Sequence, residues 1–233
     1  MELIGIGLGP GDPELLTLKA VRNLGAIDVA MVAASLKSGR SYALEIAHKY
    51  LRPDSEVIKA FFPMTRDSEE LEEVYDRYAD LVHGLVSGGK RVGFLCIGDP
   101  LLYSTYGRLL MSLRKHHPEV PVTTLPGVPS FCAAAAAANR VMVLEDEILS
   151  IVPVNSADKV TRAALGCDSM VLLKIYREKA EAIGMLEKAG FVEDLLYIEK
   201  AGHPDQYMSE DIETIRRKDG TYLSILFANR RTD

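Results

Sequence analysis

The stretch Gly98-Asp99-Pro100-Leu101-Leu102-Tyr103-Ser104 decides how the fold of this chain is interpreted. It follows an apolar run from Val92 to Ile97 that is typical of a buried strand. A strand does not continue through Gly-Asp-Pro, because glycine permits unusual backbone angles, aspartate bonds to neighbouring amides and proline removes a donor. In an open α/β sheet, turns at the carboxyl ends of strands form the ligand crevice. We therefore expect this turn to border a binding site.

A second glycine-rich turn lies near the amino end, Gly5-Ile6-Gly7-Leu8-Gly9-Pro10-Gly11-Asp12-Pro13. It follows the apolar run from Leu3 to Leu8 and also ends in Gly-Asp-Pro. A dinucleotide-binding fingerprint requires glycine at position 10, where this chain has Pro10. Asp12 suits the cap of the next helix and Pro13 its first position. The turn therefore predicts a ligand site other than a dinucleotide-binding site.

Strand-like and helix-like segments alternate along all 233 residues. The clearest helix runs from Ser68 to Ser87, where apolar residues recur at three- and four-residue spacing. The alternation predicts an α/β protein of two lobes with largely parallel sheets, above all in the first lobe. We place the boundary between His116 and Asn139, and assign residues 1–120 to the first lobe and residues 121–233 to the second.

The composition argues against several classes of protein. A net charge of −6 disfavours nucleic acid as the main partner. No stretch approaches the roughly 18 apolar residues of a spanning helix, and the first residues lack a basic region and a cleavage site. We therefore expect a cytoplasmic protein without a membrane partner.

Cysteines and histidines show no spacing typical of a metal site. The three cysteines are widely separated, and we expect them to be buried structural thiols: Cys96, Cys132 and Cys167. Among the five histidines, the pair His116-His117 is interpreted as a surface pair at a helix end, where positive charge is favourable. We therefore expect no protein-bound metal.

Three motifs in order resemble those of the tetrapyrrole methylases. They are the amino-terminal glycine turn, the Gly98-Asp99-Pro100 turn and Pro126-Gly127-Val128-Pro129-Ser130-Phe131. A late element, Ala201-Gly202-His203-Pro204-Asp205-Gln206, extends the resemblance over nearly the whole chain. The resemblance implies methylation of a corrin precursor ring with S-adenosylmethionine, which leaves as S-adenosylhomocysteine. It also implies the class III methyltransferase fold, with the cofactor cleft between two α/β lobes, and a homodimer.

Two stretches resemble, within that family, the enzymes that act on carbon 20 of precorrin-2 or cobalt-factor II in cobalamin biosynthesis. They are Phe62-Pro63-Met64-Thr65-Arg66-Asp67 and the run from Gly98 to Tyr106. Alternatives are a corrin-pathway methylase acting at another carbon and diphthine synthase, which methylates a modified histidine on a protein. A non-catalytic tetrapyrrole-binding module is a third alternative. Whether the bound ring carries cobalt stays open.

The resemblance also implies the cofactor contacts. Asp99 has the alternative of capping only its own turn, and Ser130 that of capping only the alanine-rich helix after it. Lys174 stands where an apolar residue is expected, so its contact would be made by the backbone. The residues implied are Gly98, Asp99, Leu101, Leu102, Tyr103, Pro129, Ser130, Leu173, Lys174, Ala201 and Ala228.

The ring substrate bears many carboxylates, so its site needs basic and hydrogen-bonding groups. We favour Arg66, which lies in the stretch that resembles the carbon-20 enzymes. The glycine turn is expected to face the ring, with a tight turn and helix cap as the alternative; its residues are Gly9, Pro10, Gly11 and Asp12. Methyl transfer from a sulfonium needs alignment more than a strong base. The catalytic residue stays unassigned, with Tyr103 and Asp12 as candidates for assisting proton loss from carbon 20.

Overall fold

A computed structural model describes residues 1–63, 65, 67–154, 156, 158–176 and 178–230. The chain divides into two compact units, Met1–Pro129 and Ser130–Asp233. This division lies within the expected interval from His116 to Asn139, but later than residue 120. The reason is that Val122–Leu125 forms a strand that pairs with Leu3–Gly7, in the first unit.

The first unit contains one parallel sheet. Its strands lie in the order β3-β2-β4-β1-β5, and each neighbouring pair is parallel, as the sequence predicts. The elements are β1 (Leu3–Gly7), α1 (Leu18–Leu24), β2 (Val29–Ala34), α2 (Tyr42–Ala47), β3 (Glu56–Phe61), α3 (Ser68–Ser87), β4 (Val92–Cys96), α4 (Thr105–His116) and β5 (Val122–Leu125). Short 3-10 helices cover Pro13–Leu15 and His48–Tyr50.

Helices cover both faces of this sheet. Leu24 of α1 packs with Ile4 and Ile6 on one face, whereas Leu109 of α4 packs with Leu3 on the other. Strands β1 and β4 are neighbours, and the helices that follow them lie on opposite faces. At such a switch point, the carboxyl ends of the strands form the ligand crevice of an open α/β sheet. The two Gly-Asp-Pro turns follow these two strands.

The helix expected directly after the first glycine turn is divided in two. Asp12 caps a single 3-10 turn, Pro13–Leu15, with Pro13 at its start. Helix α1 begins later, at Leu18, because the Thr17 hydroxyl accepts a hydrogen bond from the Ala20 amide at 3.0 Å and provides a second cap. The sequence predicted the cap at Asp12 but not the interruption.

The second unit contains a mixed sheet, in the order β6-β7-β10-β8-β9. Strands β6 and β7 are parallel, whereas β10 is antiparallel to β7 and β8, and β9 is antiparallel to β8. The expectation of a largely parallel sheet is therefore wrong here. The elements are α5 (Ser130–Ala137), β6 (Leu149–Pro153), α6 (Asp158–Ala164), β7 (Ser169–Leu173), α7 (Lys179–Lys188), β8 (Asp194–Glu199), β9 (Tyr207–Ser209), α8 (Ile212–Arg217) and β10 (Ser224–Asn229).

The cysteines are free thiols in apolar surroundings. Cys96 and Cys167 are buried, as expected, while Cys132 is only partly buried. Burial raises the pKa of Cys96 to about 12 and holds the Cys96 side chain as the neutral thiol. Across the described ranges, no helix has the length and apolar character that crossing a membrane requires.

Candidate active site

The two Gly-Asp-Pro turns meet at the carboxyl ends of β1 and β4. The Gly98 amide donates to the Gly9 carbonyl at 2.7 Å, and the Leu8 amide donates to the Cys96 carbonyl at 2.8 Å. Gly9 and Gly98 both have φ of 70°, in the left-handed region that favours glycine. Two turns far apart in sequence thus form one hydrogen-bonded backbone structure at the switch point.

The third motif joins them through direct backbone packing. A Cβ added to Gly7 would lie 2.4 Å from the Gly127 amide nitrogen, and one added to Gly127 would lie 2.2 Å from the Gly98 carbonyl oxygen. Real Cβ atoms do not approach backbone this closely, so both positions require glycine. The three motifs that carry the family resemblance are therefore neighbours at the carboxyl ends of the strands in the first unit.

Asp99 fastens two of these turns to each other. Its Oδ1 accepts the Leu101 amide at 2.9 Å, and its Oδ2 accepts the Gly127 amide at 3.2 Å. The first bond is the turn cap that the sequence left as an alternative. The second bond reaches another motif and was not foreseen. The carboxylate thus has a structural role in the protein alone, and its contact with a cofactor stays a prediction.

The turn after Asp99 presents apolar side chains at its surface. Leu101 is 61% exposed and Tyr103 is 47% exposed, while Leu102 is partly buried. Tyr103 has φ of 51°, a conformation that costs a residue other than glycine of order 1–3 kcal/mol. The Ser104 hydroxyl donates to the Pro100 carbonyl and closes this turn. An exposed apolar edge on a fixed turn is suited to a ligand with a nonpolar portion.

The amino-terminal glycine turn is partly accounted for by local structure. Gly9 and Pro10 are buried, whereas Gly11 and Asp12 are partly exposed. The Asp12 Oδ1 accepts the Glu14 amide at 2.8 Å, which is the helix-cap alternative. A contact of these four residues with a ring stays a prediction. Arg66, the other predicted substrate contact, lies outside the described residues.

In the second unit, two predicted residues lie at the carboxyl ends of β7 and β8. Leu173 ends β7, and the Lys174 amide after it donates to the Ser224 carbonyl at 3.0 Å. Beyond the end of β8, Ala201 is buried. The Lys174 carbonyl accepts the Tyr176 amide at 2.9 Å, so both backbone groups of Lys174 already have protein partners. A contact of the Lys174 backbone with the cofactor would therefore have to share the Lys174 carbonyl oxygen with the Tyr176 amide.

The structure does not bring Ala228 to this edge. Ala228 is fully buried and pairs with Met170 and Leu195, inside the sheet. Strand β10 is antiparallel to β7 and β8, so its start at Ser224 lies beside the carboxyl ends of those two strands. Ala228 lies nearer to their amino ends. The family resemblance implied Ala228 as a cofactor contact, and that contact stays a prediction.

A buried charged cluster beside this edge was missed by the sequence interpretation. The Tyr197 hydroxyl donates to the Glu199 Oε1 at 2.6 Å, and the Lys218 Nζ lies 3.3 Å from the Glu199 Oε2. Burial raises the pKa of Tyr197 and lowers that of the buried Lys179, whose Nζ lies 5.1 Å from the Tyr197 ring centroid. Glu199 ends β8, so the cluster anchors the strand end that leads to Ala201.

Three ligand-type side chains come together in the first unit, although the sequence shows no metal-ligand spacing. His83, His117 and Glu119 have ligand atoms that all lie within 4.8 Å of one another. They come from two separate parts of the chain, so sequence spacing gave no signal.

Residues 2–215 match the profile of the Tetrapyrrole (Corrin/Porphyrin) Methylases. This chain belongs to the tetrapyrrole methylases. The methylase is 33% identical over 232 residues to the cobalt-precorrin-2 C(20)-methyltransferase of Salmonella typhimurium, covering 99% of this chain and 97% of that protein. It is 30% identical over 209 residues to the precorrin-2 C(20)-methyltransferase of a Sinorhizobium species, covering 85% of this chain and 83% of the relative.

The fold of this methylase is found among solved structures as well. A uroporphyrin-III C-methyltransferase from Thermus thermophilus, solved in complex with S-adenosylhomocysteine, superimposes with a TM-score of 0.69 at 21% identity. The match covers 98% of this chain and 97% of that one. At this identity the likeness establishes the shared fold.

Proposed function

We propose that this methylase transfers a methyl group from S-adenosylmethionine to carbon 20 of precorrin-2 or cobalt-factor II in cobalamin biosynthesis. The observation that carries the proposal is the similarity, over nearly the entire chain, to an enzyme named for that reaction. The stretch from Phe62 to Asp67 and the turn from Gly98 to Ser104, which resemble the carbon-20 enzymes, support the same substrate.

The residues at the carboxyl edge of the first sheet fit S-adenosylmethionine. Such a ligand needs apolar surface for its adenine and aliphatic parts and hydrogen-bonding backbone for its polar edges. Leu101 and Tyr103 supply exposed apolar surface, and the glycine turns supply backbone unshielded by side chains. When bound, S-adenosylmethionine supplies an electrophilic methyl group. The residues proposed to hold it are Gly98, Leu101, Leu102, Tyr103, Pro129 and Ser130, with Leu173, Lys174 and Ala201 from the second unit.

The contribution of the protein to this reaction is alignment. Positioning two reactants contributes roughly 7–11 kcal/mol in favourable cases, provided that the contacting groups are held still. Asp99 fixes the turn that carries Leu101 and Tyr103 by accepting amides from two motifs. A meso carbon of a reduced ring is itself enamine-like and nucleophilic, so no strong base is required. Tyr103 and Asp12 both stay candidates to assist proton loss, and the Asp12 carboxylate also accepts the Glu14 amide.

The ring site is proposed to combine the glycine turn from Gly9 to Asp12 with Arg66. An arginine can bind a ring carboxylate through two parallel hydrogen bonds and so fix the ring's orientation. Replacing Arg66 by alanine should therefore raise the KM for the ring at least tenfold, with cofactor affinity unchanged. We also propose a homodimer, as the family resemblance implies. From its charge and composition we propose that it is cytoplasmic, without nucleic-acid or membrane partners.

The proposal is tested by incubating the purified protein and S-adenosylmethionine with precorrin-2 or cobalt-factor II and analysing the products by mass spectrometry. We expect one added methyl group on at least one of the rings. Binding of ring and cofactor without transfer would indicate a non-catalytic module. Transfer only to a protein acceptor would indicate an activity like that of diphthine synthase.

A matched pair of variants connects this activity to the candidate site. Leu101→Asp places a charge on the exposed apolar turn and should reduce methylation at least tenfold. Leu18→Asp makes the same change on α1, where Leu18 is 80% exposed, and should leave the rate unchanged. Equal rates for the two variants would remove the Leu101 turn from the site.

A further inference from the structure

A cluster of ligand-type side chains lies on the first unit, away from the candidate active site. His83 is near the end of α3, His117 directly follows α4, and Glu119 lies in the loop after it. Helices α3 and α4 begin just after the carboxyl ends of β3 and β4 and return toward the amino ends. The cluster therefore lies near the amino ends of the strands, whereas the glycine turns lie at the carboxyl ends.

The spacing of the atoms is close to that of a metal site. The Glu119 Oε1 lies 3.3 Å from the His83 Nε2 and 3.9 Å from the His117 Nδ1. Zinc binds histidine nitrogen and carboxylate oxygen at about 2.0–2.2 Å, which places neighbouring ligand atoms of a tetrahedron about 3.3–3.6 Å apart. The distances from the Glu119 oxygen to the two imidazole nitrogens are therefore close to the distance between two ligand atoms of one zinc ion.

A second, independent feature is the support of His117 on its other side. The His117 Nε2 lies 2.7 Å from the Asp80 Oδ1, which leaves its Nδ1 directed to Glu119. A metal-binding histidine commonly donates its remaining N–H to a carboxylate, which fixes the ring and its tautomer. His117 also caps the carboxyl end of α4, where the helix dipole favours a cation.

We propose that His83, His117 and Glu119 bind one divalent first-row transition-metal ion of the zinc type. The ligands are the His83 Nε2, the His117 Nδ1 and a Glu119 oxygen, and water completes a tetrahedron. Two imidazoles and a carboxylate are donors that suit such an ion. The His83 and His117 rings are stacked, with centroids 4.1 Å apart and an interplanar angle of 5°. Binding of both nitrogens to one ion therefore requires one ring to rotate about its side-chain bonds. The bound ion links α3 to the segment after α4.

The test is titration of the tag-free, full-length protein with Zn²⁺ by calorimetry and with Co²⁺ by visible absorption. We expect one ion per chain and a cobalt spectrum typical of tetrahedral coordination. His83→Gln and His117→Gln should each weaken binding at least tenfold. Asp80→Asn, which removes the carboxylate that orients His117, should weaken it about 10–100-fold.

His116→Gln is the matched control. His116 neighbours His117 in sequence, but its Nε2 pairs with Asp76 at 3.1 Å and it is outside the cluster. The control should bind Zn²⁺ with unchanged affinity and stoichiometry. Loss of binding in His116→Gln equal to that in His117→Gln would overturn the proposal. Wild-type protein that binds no stoichiometric ion, or binding that survives both His83→Gln and His117→Gln, would overturn it too.

Discussion

At the residue scale, the candidate active site consists of glycines that admit no side chain and an aspartate that joins two turns. Gly7 and Gly127 are neighbours, and Gly127 also packs against the Gly98 carbonyl. The Asp99 carboxylate accepts amides from its own turn and from Gly127. These contacts make the position of one turn depend on the other two. Substitutions at Asp99 and Gly127 should therefore affect both stability and ligand binding.

Replacing Asp99 by alanine should have two measurable effects. The partly buried Gly127 amide loses its acceptor, as does the exposed Leu101 amide, which together cost about 1–3 kcal/mol in the free energy of unfolding. The loosened turn should also weaken S-adenosylmethionine binding at least tenfold. Urea unfolding and calorimetric titration measure the two effects. Unchanged cofactor affinity in a destabilised variant would restrict Asp99 to its structural role.

Replacing Gly127 by alanine should push the three motifs apart. The new Cβ would lie 2.2 Å from the Gly98 carbonyl oxygen, and such overpacking costs about 1–3 kcal/mol. Gly107→Ala is the control, because that Cβ would meet no atom within 4 Å and lies inside α4. Alanine there should stabilise the helix by about 0.5–1 kcal/mol. Thermal unfolding of both variants tests the contrast, and equal melting temperatures would contradict the packing described.

The sequence revealed the residues of these turns but only part of their connections. The bond from Asp99 to the Leu101 amide is local, and the Gly-Asp-Pro pattern predicts it. The bond from Asp99 to Gly127 depends on β5 lying next to β1, which no local pattern encodes. The same limit concealed the cluster of His83, His117 and Glu119, whose members meet only when α3 packs on α4.

At the element scale, the Asp28 carboxylate bonds to the residues that precede strands β3 and β4. Its Oδ2 accepts the Arg91 amide at 2.8 Å, just before β4, and its Oδ1 lies 3.1 Å from the Arg52 Nη2, before β3. The hydrogen bond from the Arg91 amide is the main cause that lowers the pKa of Asp28, and Arg52 adds to it. The carboxylate is therefore favoured in the folded state.

This lowered pKa gives stability a defined pH dependence. Because the folded pKa of Asp28 lies below its unfolded value of about 3.9, its contribution is complete above that pH and is lost as pH falls through the folded pKa. The difference in urea midpoint between wild type and Asp28→Asn should therefore shrink below about pH 4. Asp54→Asn removes a more exposed partner of Arg52 and should cost less at neutral pH. A constant difference down to pH 2 would contradict the role given to Asp28.

Element positions followed from the sequence more closely than element directions. Helix α3 has the predicted bounds, because regular apolar spacing and clear ends define it. An apolar run looks alike in parallel and antiparallel pairing, so the antiparallel pairing of β10 in the second sheet could not be predicted from it. Strand β9 was missed because three residues are too few to show a period.

At the scale of the whole molecule, the family is established over most of the chain, and the substrate carbon is the central claim. Of the motifs at the carboxyl ends of the first sheet's strands, the run from Gly98 to Ser104 is the one that resembles the carbon-20 enzymes. The carbon-20 proposal depends on similarity along nearly the full length to enzymes named for that position.

The most direct test is the position of the transferred methyl group. The protein is incubated with its ring substrate and S-adenosylmethionine carrying ¹³C in the methyl group, and the product is examined by nuclear magnetic resonance. Coupling of the labelled methyl to the meso carbon at position 20 is the predicted result. A labelled methyl attached to any other ring carbon would contradict the proposed function.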